Sequence, residues 1–245
     1  MTALPSLSVV IFAYNEAKNV LAVLGELKRW LSEHEPRAEI LFVDDGSNDH
    51  TFERAQQALH DVPHQLLRHR RNLGIGAALK TGVRAARAPW VTFLPCDGQI
   101  APAAIGALRD AALRSGAEVV FSVYDHRDDG WDRKVLSWGV RLLIRLVHGV
   151  RLNSDGPYLF KRDLFAPEVL ASDTFFLNFE FPIMVQKNAI RTDVVKIACR
   201  PRQKGFSKST RCRKIALVAR DLLDLRIRTA RASFRHRSRR HRSRK

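Results

Sequence analysis

The sequence has 245 residues, a net charge of +17 and an apolar fraction of 45%, which together allow one α/β domain with a sizeable core and an appendage. Three cysteines without paired spacing exclude a disulfide scaffold and a zinc finger, and they favour a reducing, cytoplasmic setting. No apolar stretch reaches the roughly 18 residues that span a bilayer and no basic leader is present, so neither a membrane span nor a signal peptide is predicted.

Apolar runs alternate with stretches of helical period through the first half of the chain. Strands are predicted near residues 7–13, 38–44, 64–69, 89–95 and 117–123. Helices are predicted near residues 16–32, 49–60, 74–87 and 101–115. This alternation is typical of an α/β fold in which helices cover both faces of a mostly parallel sheet.

Residues 133–148 also have helical period, with a mainly basic stripe among apolar side chains. The stripe consists of Lys134, Ser137, Arg141, Arg145 and His148. Two interpretations stay open: a core helix with a solvated basic stripe, or an amphipathic helix that lies on a membrane with its cations at the headgroups. A second amphipathic helix is predicted at 210–228, with Ile215, Val218, Ala219, Leu222 and Leu225 on one face.

The predicted organisation is a main domain over 1–208 that includes the 133–148 helix, a C-terminal amphipathic helix within 209–230, and a tail over 231–245. Residues 226–245 carry ten Lys and Arg and no acid. Because the tail has too few apolar residues to offset the entropy of ordering, we predict that it is disordered.

Polar and acidic side chains follow three of the predicted strands. Tyr14-Asn15-Glu16 follows the first, Asp44-Asp45 ends the second, and Asp97-Gly98-Gln99 follows the fourth. In open α/β sheets, ligands bind outside the carboxyl ends of the strands, so these groups are expected to form one site. Asp97 and Gln99 offer oxygen ligands for Mg²⁺ or Mn²⁺, since such ions need few protein carboxylates when phosphate oxygens complete the coordination shell.

A glycine-rich turn, Asn72-Leu-Gly74-Ile-Gly76, lies between the third predicted strand and the third predicted helix. The backbone N–H groups at such a helix start can hold an anion. The same residues equally fit a tight turn without a ligand, and the sequence leaves both interpretations open.

Together these segments resemble the motifs of family 2 glycosyltransferases with the GT-A fold, and in particular the dolichol-phosphate mannosyltransferase-like branch. The resemblance covers roughly residues 5 to 210 and rests on five segments. They are Val10-Ile-Phe-Ala-Tyr14-Asn15-Glu16, Val43-Asp44-Asp45-Gly46-Ser47, Asn72-Leu-Gly74, Asp97-Gly98-Gln99 and Arg202-Gln-Lys-Gly205-Phe-Ser207-Lys208.

The resemblance implies a metal-dependent, inverting transfer of a sugar from a UDP- or GDP-sugar. Asp97 would act in catalysis by holding the metal that bridges the diphosphate, with Gln99 nearby. The segment from Arg202 to Lys208 would close over the donor phosphates. The residues implied in nucleotide-sugar binding are Tyr14, Glu16, Asp44, Asp45, Gly74, Arg202, Ser207 and Lys208.

Two positions depart from the family pattern. Pro95 replaces the acid that usually stands two residues before the metal ligand, and Phe12 replaces a proline in the first motif. The first departure removes a carboxylate from the metal or sugar site.

The acceptor decides whether a general base is required. A hydroxyl acceptor normally needs one, and Glu180 and Asp155 are the candidates by family position. A polyprenyl phosphate is already ionised at neutral pH and needs none. Such an acceptor lies at a membrane, which the basic residues of 133–148 and 226–245 would attract. The sequence therefore predicts a peripheral enzyme on the cytoplasmic face of the membrane.

Two alternatives belong to other classes. A polybasic tail binds nucleic acid without sequence preference, although Phe234 is its only aromatic residue for base stacking. A catalytically degenerate GT-A scaffold that binds a partner would also fit, and Pro95 is the main support for it.

Overall fold

The computed structural model describes residues 4–125, 131–200 and 220–228. The strands are β1 Leu7–Ala13, β2 Ala38–Asp44, β3 His64–Arg68, β4 Trp90–Pro95, β5 Val119–Tyr124, β6 Leu159–Lys161 and β7 Thr192–Ile197. The helices are α1 Val20–His34, α2 Thr51–Leu59, α3 Ile75–Ala85, α4 Ala103–Ser115, α5 Trp131–His148 and α6 Leu177–Lys187. Residues 220–228 form a further helix, α7, and Arg162–Leu164 is a 3₁₀ turn.

The predicted α/β fold is confirmed. Seven strands form one sheet in the order β3-β2-β1-β4-β6-β5-β7, and β6 alone is antiparallel to its neighbours. The first helix begins at Val20 rather than at residue 16, because the residues before it form a turn in which the amides of Asn19 and Val20 both donate to the carbonyl of Glu16.

Alternate residues of each central strand face opposite layers of the core. One face of β1 (Leu7, Val9, Ile11) packs with α1, α2 and α4, while Val10 and Phe12 of the other face pack with α3 and α6. All seven β1 side chains are buried, as expected for a strand that helices cover on both faces.

The short β6 joins two parallel blocks of the sheet. It pairs with Trp90 and Val91 of β4 on one side and with Val119 and Val120 of β5 on the other. Just before β6, the fully buried ring of Tyr158 also connects the two blocks, by packing against aromatic side chains. Its centroid lies 4.7 Å from that of Phe93, 5.8 Å from Phe121 and 5.4 Å from Phe181.

By its internal contacts the chain divides into two compact units. The first comprises Met1–Arg127 and Asn153–Phe206 and contains the sheet, and the second comprises Asp128–Leu152 and Ser207–Lys245. This division groups α5 with the C-terminal part of the chain, whereas the sequence pattern predicted that 133–148 belongs to the main domain.

In the second unit, α5 confirms the predicted helix but not all of its stripe. Arg141 and Arg145 are exposed, whereas His148 is buried and its Nε2 lies 3.0 Å from the carbonyl oxygen of Leu222 on α7. The assignment of His148 to a solvated stripe is therefore wrong, because this residue contacts the second helix of its own unit. The side chains of Lys134 and Ser137 lie outside the described residues.

Part of the predicted second amphipathic helix is described. Leu222 and Leu225 are buried, as the predicted apolar face requires. Residues 210–219 and the tail over 231–245, which was predicted to be disordered, lie outside the described residues. Among the helices that the structure describes, none is both long and apolar enough to cross a bilayer.

A buried carboxylate, Glu39, fixes the beginnings of β1, β2 and β4. It accepts hydrogen bonds from the Ser8 hydroxyl (2.7 Å), the Arg87 amide (2.7 Å) and Arg87 Nε (2.8 Å). Burial acts to raise the pKa of Glu39, but these hydrogen bonds and the Arg87 charge outweigh it and hold the pKa below its ordinary value of 4.5. The ionised form therefore stabilises the fold.

We expect this contribution to depend on pH. Because the folded-state pKa is lower than the unfolded one, the contribution is complete above about pH 4.5 and is lost as the pH falls through the folded-state value. The substitution Glu39→Gln should lower the free energy of unfolding at pH 7 by about 2 kcal/mol, the strength of hydrogen bonds to a charged group. Urea denaturation across pH 3–7 would measure this. The exposed Glu33→Gln should have no such effect, and a pH-independent loss in Glu39→Gln would contradict the prediction.

Candidate active site

Hydrogen bonds join the loops that follow β1 and β2. The amide of Asn15, a residue held at φ +54°, donates to the Ser47 hydroxyl (2.9 Å), and the Asn48 amide donates back to Asn15 Oδ1 (2.8 Å). The Glu16 amide donates to Thr51 Oγ1 (2.9 Å). The first two strand ends are therefore held as one structure, as the sequence analysis expected from the parallel order of β1 and β2.

Asp45 links this structure to the glycine-rich turn. Its buried carboxylate accepts hydrogen bonds from the amides of Leu73 and Gly74, both at 2.9 Å, and lies 2.8 Å from His69 Nδ1. Since an ionised carboxylate only accepts, His69 Nδ1 must carry the proton. His69 Nε2 lies 2.9 Å from the Thr81 hydroxyl on α3.

Asp44 is fully buried and also has partners within the protein. Its Oδ1 accepts the Ser47 amide (3.1 Å), and its Oδ2 lies 3.0 Å from Arg68 Nε. The Arg68 contact is an ion pair without the alignment of a hydrogen bond, so Oδ2 is buried with no hydrogen-bond donor. The Arg68 guanidinium also lies over the Phe52 ring, 4.9 Å from its centroid.

The glycine-rich turn fits against another loop rather than facing open space. Gly74 has φ +103°, and the Ala77 amide donates to the carbonyl of Asp173 (3.0 Å). A Cβ on Gly76 would lie 2.6 Å from the Thr174 carbonyl oxygen, closer than real side chains approach. Of the two interpretations left open by the sequence, this geometry supports the tight turn, because Asp173 and Asp45 already take N–H groups at the start of α3.

Lys80 and Glu180 hold that loop in place. The buried Lys80 donates to the Leu170 carbonyl (2.8 Å) and to Asp173 Oδ1 (2.7 Å). The two oxygens of buried Glu180 accept the amides of Ala171 (3.1 Å) and Ser172 (2.9 Å). Both oxygens of this candidate base are therefore engaged in positioning backbone.

The other candidate base, Asp155, lies in a different environment. It precedes the antiparallel β6, so it lies at the sheet edge where β5 ends, and its amide donates to the Ser122 carbonyl (2.8 Å). Its side chain is exposed. Of the two candidate bases, Asp155 is the one whose carboxylate is open to solvent.

Asp97 follows β4 directly and is 9% exposed. Its Oδ1 accepts the Gln99 amide (3.1 Å) across Gly98, which has φ +73°. Burial raises the pKa of the Cys96 thiol, and the nearby charges of Glu16 and Asp97 raise it further. The Cys96 amide donates to the Phe12 carbonyl (3.2 Å), so the ends of β1 and β4 come together.

Arg200, which contacts the turn that Asp97 begins, is the last described residue before the basic segment over 202–208. The Arg200 amide donates to the Gln99 carbonyl (2.8 Å). Arg202, Ser207 and Lys208 themselves lie outside the described residues, so their predicted role in binding phosphate stays a prediction. In the ranges 4–125, 131–200 and 220–228, no three His, Cys, Asp or Glu side chains are arranged to hold a metal ion.

Comparison with known families and structures agrees with this geometry. Residues 8–181 match the model of a family described as "Glycosyl transferase family 2". The chain belongs to glycosyl transferase family 2. The predicted family is thereby confirmed.

Two curated proteins have sequences similar to that of this chain. An undecaprenyl-phosphate 4-deoxy-4-formamido-L-arabinose transferase from Aeromonas hydrophila subsp. hydrophila is 28% identical over 84% of this chain and 64% of its own length. A dodecaprenyl-phosphate galacturonate synthase from Rhizobium johnstonii is 28% identical over 61% of this chain and 45% of its own length. The chain thus spans less than two thirds of either relative.

Solved structures confirm the GT-A fold. A glucosyl-3-phosphoglycerate synthase from Mycobacterium tuberculosis, in complex with Mn²⁺, UDP and glucosyl-3-phosphoglycerate, has a TM-score of 0.68 and 18% identity, covering 90% of this chain and 78% of that one. The same enzyme in complex with Mg²⁺ and UDP gives the same TM-score and identity.

Several positioning residues of this family 2 site did not follow from the motifs. The roles of Arg68 and His69 can be predicted only when β3 is known to end beside β2. Lys80 lies in the predicted third helix, and its contact with Asp173 joins residues 93 positions apart. The one available signal was a basic residue, Lys80, directly after the apolar stretch Gly76–Leu79.

We expect Asp45→Ala to destabilise the fold. Removing the carboxylate leaves the amides of Leu73 and Gly74 without this acceptor, and a hydrogen bond to a charged group contributes about 1.5–3 kcal/mol. The free energy of unfolding should fall by about 2–4 kcal/mol in urea denaturation followed by circular dichroism. Asp110→Ala, at an exposed position on α4, is the control and should change little. Equal denaturation midpoints for both variants would show that Asp45 does not hold the turn.

Proposed function

We propose that this chain transfers a sugar from a UDP- or GDP-sugar to a polyprenyl phosphate at a membrane surface. One observation carries the proposal: the ends of β1, β2 and β4 converge, in a family 2 chain, so that Glu16, Asp44-Asp45 and Asp97 lie at one edge of the sheet. The names of the relatives support the acceptor class, since both act on a polyprenyl phosphate.

The donor would lie across this edge. Tyr14 and Glu16 follow β1, and Glu16 Oε2 is held by Asn19 Nδ2 at 2.6 Å. Asp44 and Asp45 would contribute mainly by shaping the loops that border the nucleotide, because the protein already uses their carboxylates. Gly74 would contribute by the close approach of its backbone. The segment from Arg202 to Lys208 would bring cations to the diphosphate.

The residues at Asp97 fit a divalent ion. A hard cation such as Mg²⁺ or Mn²⁺ takes one or two protein carboxylates when phosphates and water supply the rest, so the proline at position 95 does not exclude it. Asp97 and the side chain of Gln99 would hold the ion. It would neutralise charge on the departing nucleotide diphosphate. The Mn²⁺ and Mg²⁺ complexes of the structural neighbours support this choice of metal.

A phosphate acceptor agrees with the engagement of Glu180. A hydroxyl acceptor loses its proton as it attacks and needs a base, while an ionised phosphate does not. Glu180 accepts two backbone N–H groups, which favours a structural role, and Asp155 would be the base only for a hydroxyl acceptor. We further propose direct displacement with inversion, as the resemblance implies; among the residues that the structure describes, no carboxylate is placed as an obvious nucleophile.

Asp97→Ala tests the donor site. Calorimetric titration of UDP-, GDP- and dTDP-sugars with Mn²⁺ should give binding of one nucleotide class to the wild type. That binding should weaken by about tenfold or more in Asp97→Ala, the cost of a lost charged contact, and in wild type treated with chelator. Asp110→Ala is the matched control and should bind like wild type. A well-folded wild type that binds no donor would favour the degenerate scaffold.

The described part of the second unit supports attachment to a membrane surface. On α5, Trp138, Leu142 and Leu146 recur every fourth residue and are 66%, 37% and 74% exposed. Arg141 and Arg145 lie beside them and are also exposed. An apolar stripe flanked by cations suits the boundary between acyl chains and anionic headgroups. We therefore propose a peripheral protein on the cytoplasmic face, with additional attraction from residues 226–245.

A double substitution, Trp138→Gln with Leu146→Gln, should reduce binding to vesicles that contain phosphatidylglycerol. Each exposed apolar side chain that enters the bilayer contributes about 1.5–3 kcal/mol, so cosedimentation should show at least a tenfold loss of affinity. The loss should persist at high salt, where the attraction of basic residues is screened. Leu113→Gln removes an equally exposed leucine from α4 and should bind normally. Equal losses in both proteins would contradict a specific role for α5.

A further inference from the structure

Four arginines line a groove at the edge of the sheet opposite the candidate active site. Arg37, Arg87, Arg109 and Arg162 surround a volume of about 500 Å³, together with the half-buried Trp90. Sites for small molecules typically measure roughly 300–1,000 Å³, so the groove is large enough for a ligand. Neither the family motifs nor the proposed reaction uses any of these side chains.

The fold itself brings the arginines together. Arg37 precedes β2 and Arg87 precedes β4, so both lie where parallel strands begin. Because β6 runs antiparallel, Arg162 leaves the sheet at this same edge, and its amide donates to the Pro89 carbonyl (2.9 Å). Arg109 comes from α4. The groove is thus assembled from four separate parts of the first unit.

Three of the four guanidiniums are held in fixed positions. Arg109 places Nε and Nη1 each 3.0 Å from an oxygen of Glu35, and Arg87 donates Nε to Glu39. Arg162 Nη1 donates to the carbonyls of Ala86 (3.1 Å) and Arg87 (3.3 Å). A guanidinium has five N–H donors, so each of these arginines keeps donors for a further acceptor.

Arg37 differs from the other three. It is exposed, and its guanidinium has no partner among the residues that the structure describes. The single carboxylate in the lining is Asp163, whose Oδ1 is 3.5 Å from Arg162 Nε. Counting Asp163 with Glu35 and Glu39, three carboxylates stand against four arginines, so the net positive charge is small. Recognition would rest on placed N–H donors, an arrangement that matches phosphate oxygens.

The geometry points to a second anion site in this groove, one that binds a phosphate-bearing ligand whose apolar part contacts Trp90 and Leu4. The guanidiniums of Arg87, Arg109 and Arg162 are already held in place, so they supply donors without a large loss of side-chain entropy. Arg37 would add a fourth guanidinium to the ligand. The phosphate belongs either to a soluble phosphate ester or to a phospholipid headgroup. The site is separate from the donor edge and does not depend on the proposed glycosyl transfer.

The test compares Arg37→Glu with Arg29→Glu in the full chain, with chelator present. Both positions are exposed and both substitutions change the charge equally, but Arg29 lies on α1 outside the groove lining. The soluble probe is glycerol 3-phosphate, followed by calorimetry. The lipid probe is phosphatidic acid in phosphatidylcholine vesicles, followed by cosedimentation. Circular dichroism and the melting temperature should be unchanged in both variants, because neither side chain has a partner to lose.

Arg37→Glu should lower the affinity for one of the two probes by about tenfold or more, which is the effect of removing a charge-assisted contact. Arg29→Glu should bind both probes like wild type. If Arg37→Glu loses binding of glycerol 3-phosphate, the ligand class is a soluble phosphate ester. Loss with the vesicles alone identifies a lipid headgroup. The proposal is overturned if wild type binds neither probe, or if the two variants bind both probes equally. Metal-dependent nucleotide binding should be the same in wild type and Arg37→Glu, which separates this site from the donor site.

Discussion

The Asp45 carboxylate accepts three hydrogen bonds, from two parts of the chain, at the point where β2 ends. Two come from backbone amides of the glycine-rich turn and the third from His69 after β3. The turn is fixed in this way, because two of its backbone donors share one buried acceptor. The start of α3, the loop over 170–174 and the position of α6 depend in succession on this contact.

In the candidate active site, several charged side chains bind other parts of the protein and thereby hold the loops in place. Asp44, Lys80 and Glu180 are all buried, and each has protein partners that fix a loop. Asp97 accepts the Gln99 amide within its own turn, and the Gln99 carbonyl in that turn accepts the Arg200 amide. In the proposed function, this rigid frame of paired charges would border Asp97, the proposed metal ligand.

The sequence predicted the parts of the fold that follow from local patterns. Strand and helix periods placed β1 to β5 and α1 to α5, and parallel order was enough to expect the strand ends together. It missed β6 and β7, since Leu159–Lys161 is too short to show a period and Thr192–Ile197 is an edge strand with mixed polarity. The partners of His148 and Glu180 could not be predicted either, because they come from tertiary packing that no local pattern records.

The three-residue β6 also determines how the sheet holds together. Backbone pairing joins the β3-β2-β1-β4 block to the β5-β7 block through only two residue pairs on either side. The cluster of Tyr158, Phe93, Phe121 and Phe181 therefore contributes much of the cohesion across this seam, through buried area rather than through a ladder. The two blocks behave as one cooperative sheet only while these rings remain packed.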